Sequence, residues 1–250
     1  VEAAASAGML EDMGTSVAVT GAAAGLGYVI AEELAARGRT VVLLDRDEAA
    51  LGAAVEQLGG GRHGRVVGLA ADLSTVEGVR AAAGALLAQG GIGGLVNNAG
   101  GWLPDEQYPD AEPERWLSAL TLNLTAPMLL TQLLWPALSA AAGAVVNIGS
   151  SGGLGDAAYG SPEYGAAKAG LHRFTTSLAG RVDVRVTAVV PGWIGLERAR
   201  KQWAALSERE RDEAGPLVRP EEIAATVCAL LTSGRAGEVV EMLGGDRRPG

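Results

Sequence analysis

The chain has 250 residues, 48% of them hydrophobic and 20% charged, and a formal net charge of −9. That length can bury the core of one α/β domain, and an acidic balance with no basic stripe argues against a nucleic-acid partner. One cysteine, Cys228, leaves no disulfide within the chain and fits a reducing, cytoplasmic setting.

Residues 1–15 carry Glu2, Glu11 and Asp12 and no basic residue, so they lack the pattern of a signal peptide. They and residues 245–250 are expected to be loosely ordered tails. Ser16–Thr20 is a short β-rich run. It leads into Gly21-Ala-Ala-Ala-Gly25-Leu-Gly27 and then a helical pattern from Tyr28 to Arg37. Strand, glycine turn and helix form the context a phosphate-binding loop needs, because glycines admit a pyrophosphate to the helix N-terminus.

Arg39–Asp45 reads as a second strand ending in an acid. An acid there can accept hydrogen bonds from both ribose hydroxyls and would repel a 2′-phosphate, which favours NAD over NADP. Arg46 follows at once and could pair with a phosphate, so NADP stays open. Val66–Ala70 is the third strand, closed by Asp72-Leu73, and Thr75–Gln89 the next helix. Gly94–Asn97 ends the fourth strand and runs into Asn98-Ala99-Gly100.

Glu112–Leu122 and Thr125–Leu138 read as two helices with Asn123 at their junction, where it caps the second helix or holds a water. The most apolar stretch, 126–146, is interrupted by Gln132, Pro136 and Gly143. It is read as a buried helix and a strand, not a membrane span. The fifth strand, Gly143–Ile148, ends in Gly149-Ser150-Ser151. Asp183–Val190 is the sixth strand, followed by Pro191-Gly192-Trp193. Leu196–Ala214 is a charged helical run and a candidate lid. A helix opens at Pro220, and Glu238–Leu243 is the last strand. The alternation implies a doubly wound parallel sheet of the Rossmann type, three layers with helices on both faces, in one domain spanning 1–250.

Tyr164 and Lys168 lie four residues apart in a helical pattern, on one face. A phenol beside an ammonium is favoured as phenolate, so this pair suits proton transfer on an alcohol oxygen. Gly21, Asp45, Asp72, Asn98 and Ser150 fall at the carboxyl ends of strands, where ligands of such sheets bind. Neither histidine, His63 or His172, has partners spaced for a metal or a triad. Both are read as structural, and no metal site is expected.

Together these motifs resemble the short-chain dehydrogenase/reductase family in its compact form, from about Ser16 to Asp246. Thr20-Gly21-xxx-Gly25-x-Gly27 matches its cofactor loop, Asp72-Leu73 its adenine-contact pair, and Asn97–Gly100 its NNAG segment. Pro191-Gly192 matches its turn beside the nicotinamide. Asn123, Ser150, Tyr164 and Lys168 resemble its catalytic tetrad, with Ser151 the alternative serine.

The resemblance implies hydride transfer between NAD(H) and an alcohol or ketone. Tyr164 would be the acid/base, Lys168 would lower its pKa and hold the ribose, and Ser150 would bind the substrate oxygen. Asn123 would hold a relay water. It further implies cofactor contacts from Gly21, Ala23, Gly25, Leu26, Gly27, Asp45, Arg46, Asp72, Leu73, Asn98, Ala99, Gly100, Pro191, Gly192 and Ile194, and a homo-oligomer, with no membrane partner. The departures are Leu196 in place of a frequent threonine, Gly93-Gly94 in place of an acid, and an early sixth strand that shortens the preceding helix. The alternatives are an NADP-preferring ketoreductase and a non-catalytic dinucleotide sensor on the same fold.

Overall fold

The computed structural model describes residues 15–60, 64–102, 107–155 and 159–244. The two tails, apart from Thr15, lie outside these, as does His63. In chain order the elements are β1 (Ser16–Thr20), α1 (Gly25–Ala36), β2 (Thr40–Asp45), α2 (Glu48–Gly59), β3 (Val66–Ala70), α3 (Val76–Gln89) and β4 (Ile92–Asn97). Then come α4 (Pro113–Leu120), a π-helical turn (Thr121–Thr125), α5 (Ala126–Ala140), β5 (Ala144–Ile148), α6 (Pro162–Ser177) and β6 (Arg185–Pro191). The described chain closes with α7 (Glu197–Ala205), α8 (Glu208–Ala214), α9 (Pro220–Ser233) and β7 (Val239–Met242).

The seven strands form one parallel sheet in the order β3-β2-β1-β4-β5-β6-β7. All residues of β1 and β5 are buried, while the edge strands β3 and β7 are largely half-exposed. Continuous apolar runs at the centre are what a parallel strand covered on both faces requires. Side chains alternate between two cores. Val17 and Val19 of β1 join Ile30, Leu34, Ile223 and Val227 on one face, from α1 and α9. Ala18 joins Val79, Leu86, Leu130 and Leu134 on the other, from α3 and α5. Strand order reverses between β1 and β4, and the carboxyl ends of these two strands open the crevice where such sheets bind ligands.

Three elements differ from the sequence reading. No element is predicted between Arg46 and Val66, yet α2 fills that stretch. The Asp47 carboxylate caps it by accepting the Ala50 N–H at 3.0 Å. The two helices expected to meet at Asn123 are one continuous rod, 113–140, with a π turn in the middle. Asn123 caps nothing. Its amide donates to the Ala119 carbonyl at 2.9 Å, taking the acceptor an α-helical N–H would use, and the Ala126 N–H reaches back five residues to Thr121. The rod is long and apolar enough to cross a membrane by length and composition, and α5 packs its Leu130, Leu134 and Leu138 into the core. The charged run 196–214 is split at Ser207, whose hydroxyl and the Glu210 carboxylate form a reciprocal capping box that starts α8.

Candidate active site

The end of β1 fixes the first part of the site. Gly21 has φ +64°, and a Cβ there would lie 2.9 Å from the Ala99 Cα, so only glycine fits between the two loops. A Cβ on Gly27 would overlap the Gly21 carbonyl and stand 2.5 Å from Asn98 Nδ2. Asn98 Nδ2 donates to the Thr20 and Gly21 carbonyls at 2.9 and 3.1 Å, and the Thr20 hydroxyl accepts the Asn98 and Ala99 N–H groups at 3.0 and 2.9 Å. These bonds weld β1 to β4 at the point where strand order reverses.

Two cavities meet over this weld and share Gly21, Ala99 and Gly100. One, about 380 Å³, runs from the glycine loop and the start of α1 (Ala24, Gly25, Leu26) past Asn98 to Ser150, Tyr164 and Lys168. Pro191, Gly192, Ile194 and Leu196 cover it. The other, about 210 Å³, is lined by Asp45, Arg46, Asp72 and Leu73, together with Leu44, Ala71 and Leu122. An elongated crevice floored by glycines at a helix N-terminus fits a dinucleotide. All the predicted cofactor residues line it except Ala23 and Gly27. The Ala23 N–H donates to the Asp45 carboxylate at 3.1 Å, and Gly27 gives the Gly21 turn its room. Sequence reasoning missed Ala24, Leu44, Ala71, Leu122, Ile148 and Gly149. Leu196, noted only as a departure, lies over Gly25, 3.6 Å from where its Cβ would be.

The Asp45 carboxylate also accepts the Asp47 N–H at 3.2 Å, so its two oxygens are anchored to main chain, with Arg46 exposed beside it. Asp72 has its pKa lowered, first by the Ser74 main-chain and side-chain hydrogen bonds and least by nearby Arg46.

The proton-transfer candidates come from β5 and α6. Lys168 is buried and donates to the Ile148 carbonyl at 2.9 Å, and burial alone brings its pKa down to about 8. Its Nζ lies 5.6 Å from the centre of the Tyr164 ring. The expected lowering of the Tyr164 pKa is not found. Burial pushes this phenol up, nearby Tyr159 adds to that, and the Ser150 hydrogen bond opposes it. Lys168 is desolvated by the same burial and does not offset that cost. Between the two serines, Ser150 lines the cavity together with Tyr164, whereas Ser151 starts a 3-10 turn and is not among its lining residues.

Asn123 is fully buried beneath Gly100. Its amide donates to the Gly101 carbonyl at 2.9 Å and its oxygen accepts the Gly101 N–H at 3.0 Å. Together with the Ala119 bond, this ties both ends of the amide to main chain.

His172 is more than a packed side chain. It stands one helical turn beyond Lys168, and its Nε2 accepts the Ser150 N–H at 3.3 Å. The signal was the spacing Tyr164, Lys168, His172, which places three polar groups on one face of α6. Trp102, Tyr159 and Trp193 are partly exposed, and the Arg198 guanidinium of α7 lies 5.1 Å from the Trp102 ring centre. Among the described residues no cluster of three histidine, cysteine or acidic side chains is placed to hold a metal.

The family model for short chain dehydrogenases matches residues 15–206. Galactitol 2-dehydrogenase (L-tagatose-forming) of Cereibacter sphaeroides is 34% identical over 234 residues, 87% of each chain. The 3-oxoacyl-[acyl-carrier-protein] reductase of Vibrio harveyi is 34% identical over 91% of this chain and 95% of its own. L-sorbose reductase of Gluconobacter frateurii, complexed with NADPH and L-sorbose, superposes with a TM-score of 0.83 at 28% identity, covering 95% of this chain and 98% of the other. The chain belongs to the short-chain dehydrogenase family and is an oxidoreductase that moves hydride between a nicotinamide cofactor and an alcohol/carbonyl pair.

Proposed function

We propose that Tyr164 is the general acid/base of this reaction. The observation that carries this is that Ser150, Tyr164 and Lys168 open onto the same cavity as the glycine loop. The nicotinamide supplies or takes up the hydride. In reduction Tyr164 gives its phenolic proton to the carbonyl oxygen of the substrate, and in oxidation it removes the proton of the alcohol. Ser150 donates a hydrogen bond to that same oxygen as charge grows on it. Lys168 holds the cofactor ribose and keeps positive charge beside the phenol, and Asn123 fixes the Gly101 end of the cleft floor. Turnover in Tyr164→Phe falling by at least about 100-fold, with cofactor affinity kept, is the expected result. Full activity in that variant refutes the assignment.

NAD(H) is the proposed cofactor, because Asp45 would repel a 2′-phosphate. A second reading, NADP(H), has two supports: Arg46 at the rim of the Asp45–Asp72 cavity, and the NADPH carried by the L-sorbose reductase structure. The ratio of kcat/KM for the two cofactors decides between them, and Asp45→Ala should shift it towards NADP(H). The substrate is a small alcohol or ketone admitted past Trp102, Tyr159 and Trp193. Segments 103–106 and 156–158, which belong to the expected substrate loops, lie outside the described residues. The whole chain works as one cofactor-binding domain in the cytoplasm. The groove between α5 and α6, with Met128, Trp135 and Phe174, supports a homo-oligomer.

A further inference from the structure

Three residues of α6, each one turn apart, hold successive groups at the exit of β5. Tyr164 lies beside Ser150 in the cavity wall, Lys168 donates to the Ile148 carbonyl at 2.9 Å, and the His172 ring accepts the Ser150 N–H at 3.3 Å. The first two contacts involve groups that face the cavity. The third reaches Ser150 from behind, through its main chain. The fit is close: a Cβ on Gly149 would overlap His172 Nε2 and stand 2.8 Å from its Cδ2, so the glycine before Ser150 makes room for the imidazole.

We propose that His172, as the neutral imidazole, is the positioning residue for Ser150. Its Nε2 fixes the Ser150 main chain and thereby aims the hydroxyl at the substrate oxygen. Because Nε2 accepts, the proton of the neutral ring sits on Nδ1, which is buried and has no hydrogen-bond partner. A protonated ring would turn an N–H against the Ser150 N–H and release the serine. Burial, and then the charge of Lys168, hold the His172 pKa below its ordinary value, with the Gly153 main chain acting weakly in the opposite sense. Lys168 is the charged group that acts on the ring, and Gly149, which stands against it, does not titrate. The grip is therefore intact at neutral pH and lost on acidification.

This inference rests on the roles proposed for Ser150 and Tyr164, and the experiment separates the two. Reduction of L-sorbose and of an acetoacetyl thioester is followed by cofactor oxidation in the wild type, His172→Leu, His172→Gln and Tyr164→Phe. Reduction needs Tyr164 protonated, so Tyr164 contributes no acid limb in this direction. The expected result is a fall in kcat of about 10- to 100-fold in His172→Leu, with cofactor affinity unchanged. His172→Gln, which keeps an acceptor near Nε2, regains most of the loss. The wild type shows an acid limb that lies below the ordinary histidine range, and His172→Gln lacks it. Wild-type kcat and an unchanged acid limb in His172→Leu overturn the inference, while Tyr164→Phe remaining active overturns the underlying assignment instead. Should His172→Leu not fold, or neither probe turn over, nitrogen-15 NMR of the wild-type histidine rings decides the matter. A His172 ring protonated on Nδ1 and bare at Nε2 supports the inference, and a proton on Nε2 overturns it.

Discussion

Thr20→Val removes one oxygen from the weld between β1 and β4 while nearly keeping shape. Thr20 is 1% exposed, and its hydroxyl accepts from the Asn98 and Ala99 N–H groups at 3.0 and 2.9 Å and donates to the Val96 carbonyl at 3.4 Å. In the variant the Asn98 N–H keeps a second acceptor, the Val96 carbonyl at 3.1 Å. The orphaned group is the Ala99 N–H, and leaving such a donor unmet costs about 1–3 kcal/mol. A loss of about 2 kcal/mol lowers Tm by about 4–8 °C in a chain of this size. The same loosening lets Gly21 and Ala99 separate under the cofactor, so affinity falls as well. Thermal denaturation and cofactor titration of Thr20→Val, Thr20→Ser and the wild type test this. Thr20→Ser keeps the oxygen and should stay close to the wild type in both. If Thr20→Val melts within a degree of the wild type, the hydroxyl is not what joins the strands.

Gly27→Ala forces a Cβ onto the Gly21 carbonyl and against Asn98 Nδ2. Its cofactor Kd should rise at least about tenfold, or about 1.4 kcal/mol, and an unchanged fluorescence titration would contradict this packing. Lys168 contributes a pH dependence of stability. Its folded pKa of about 8 lies below its ordinary 10.5, so between these values the unfolded chain binds more protons, and cofactor-free protein gains stability as pH rises. The gain from pH 8 to pH 10 is roughly 2–3 kcal/mol. Above that the raised Tyr164 pKa acts in the opposite sense, because the unfolded phenol ionises first. Lys168→Met should lack the gain in urea titrations, and parallel curves for the two proteins would refute it.

The strands were legible because burial on both faces demands unbroken apolar runs, and β1 and β3 lie where the sequence places them. The glycine loop, Asp45, Asp72 and the Tyr164–Lys168 pair were legible because their chemistry is tied to strand ends and to one helix face. α2 was not, since its Ala- and Gly-rich stretch has little contrast between faces, although Asp47 marked its start. The break in 196–214 was written in Ser207 and Glu210, three residues apart, but was hidden by the dense charge around them. The rise in the Tyr164 pKa was out of reach, because spacing reveals a neighbouring ammonium but not how deeply both groups are buried. His172 looked inert because its partner is a main-chain N–H, which leaves no mark on side-chain patterns.

The π turn at Thr121–Thr125 divides the 113–140 rod into two lengths with separate angular phase. One residue in an α-helix turns the face by about 100°, so a single residue added in this turn swings α4 around without disturbing α5. α5 is locked to the sheet through Leu130, Leu134 and Leu138, whereas α4 buries only Ala119 and answers to the Gly101 loop through Asn123. The turn thus acts as a rotary joint between scaffold and cleft. Deleting Leu122 would close it into plain α-helix, with the core in register and α4 swung by about 100° against the Gly101 loop. The cleft floor would open while the sheet stayed whole.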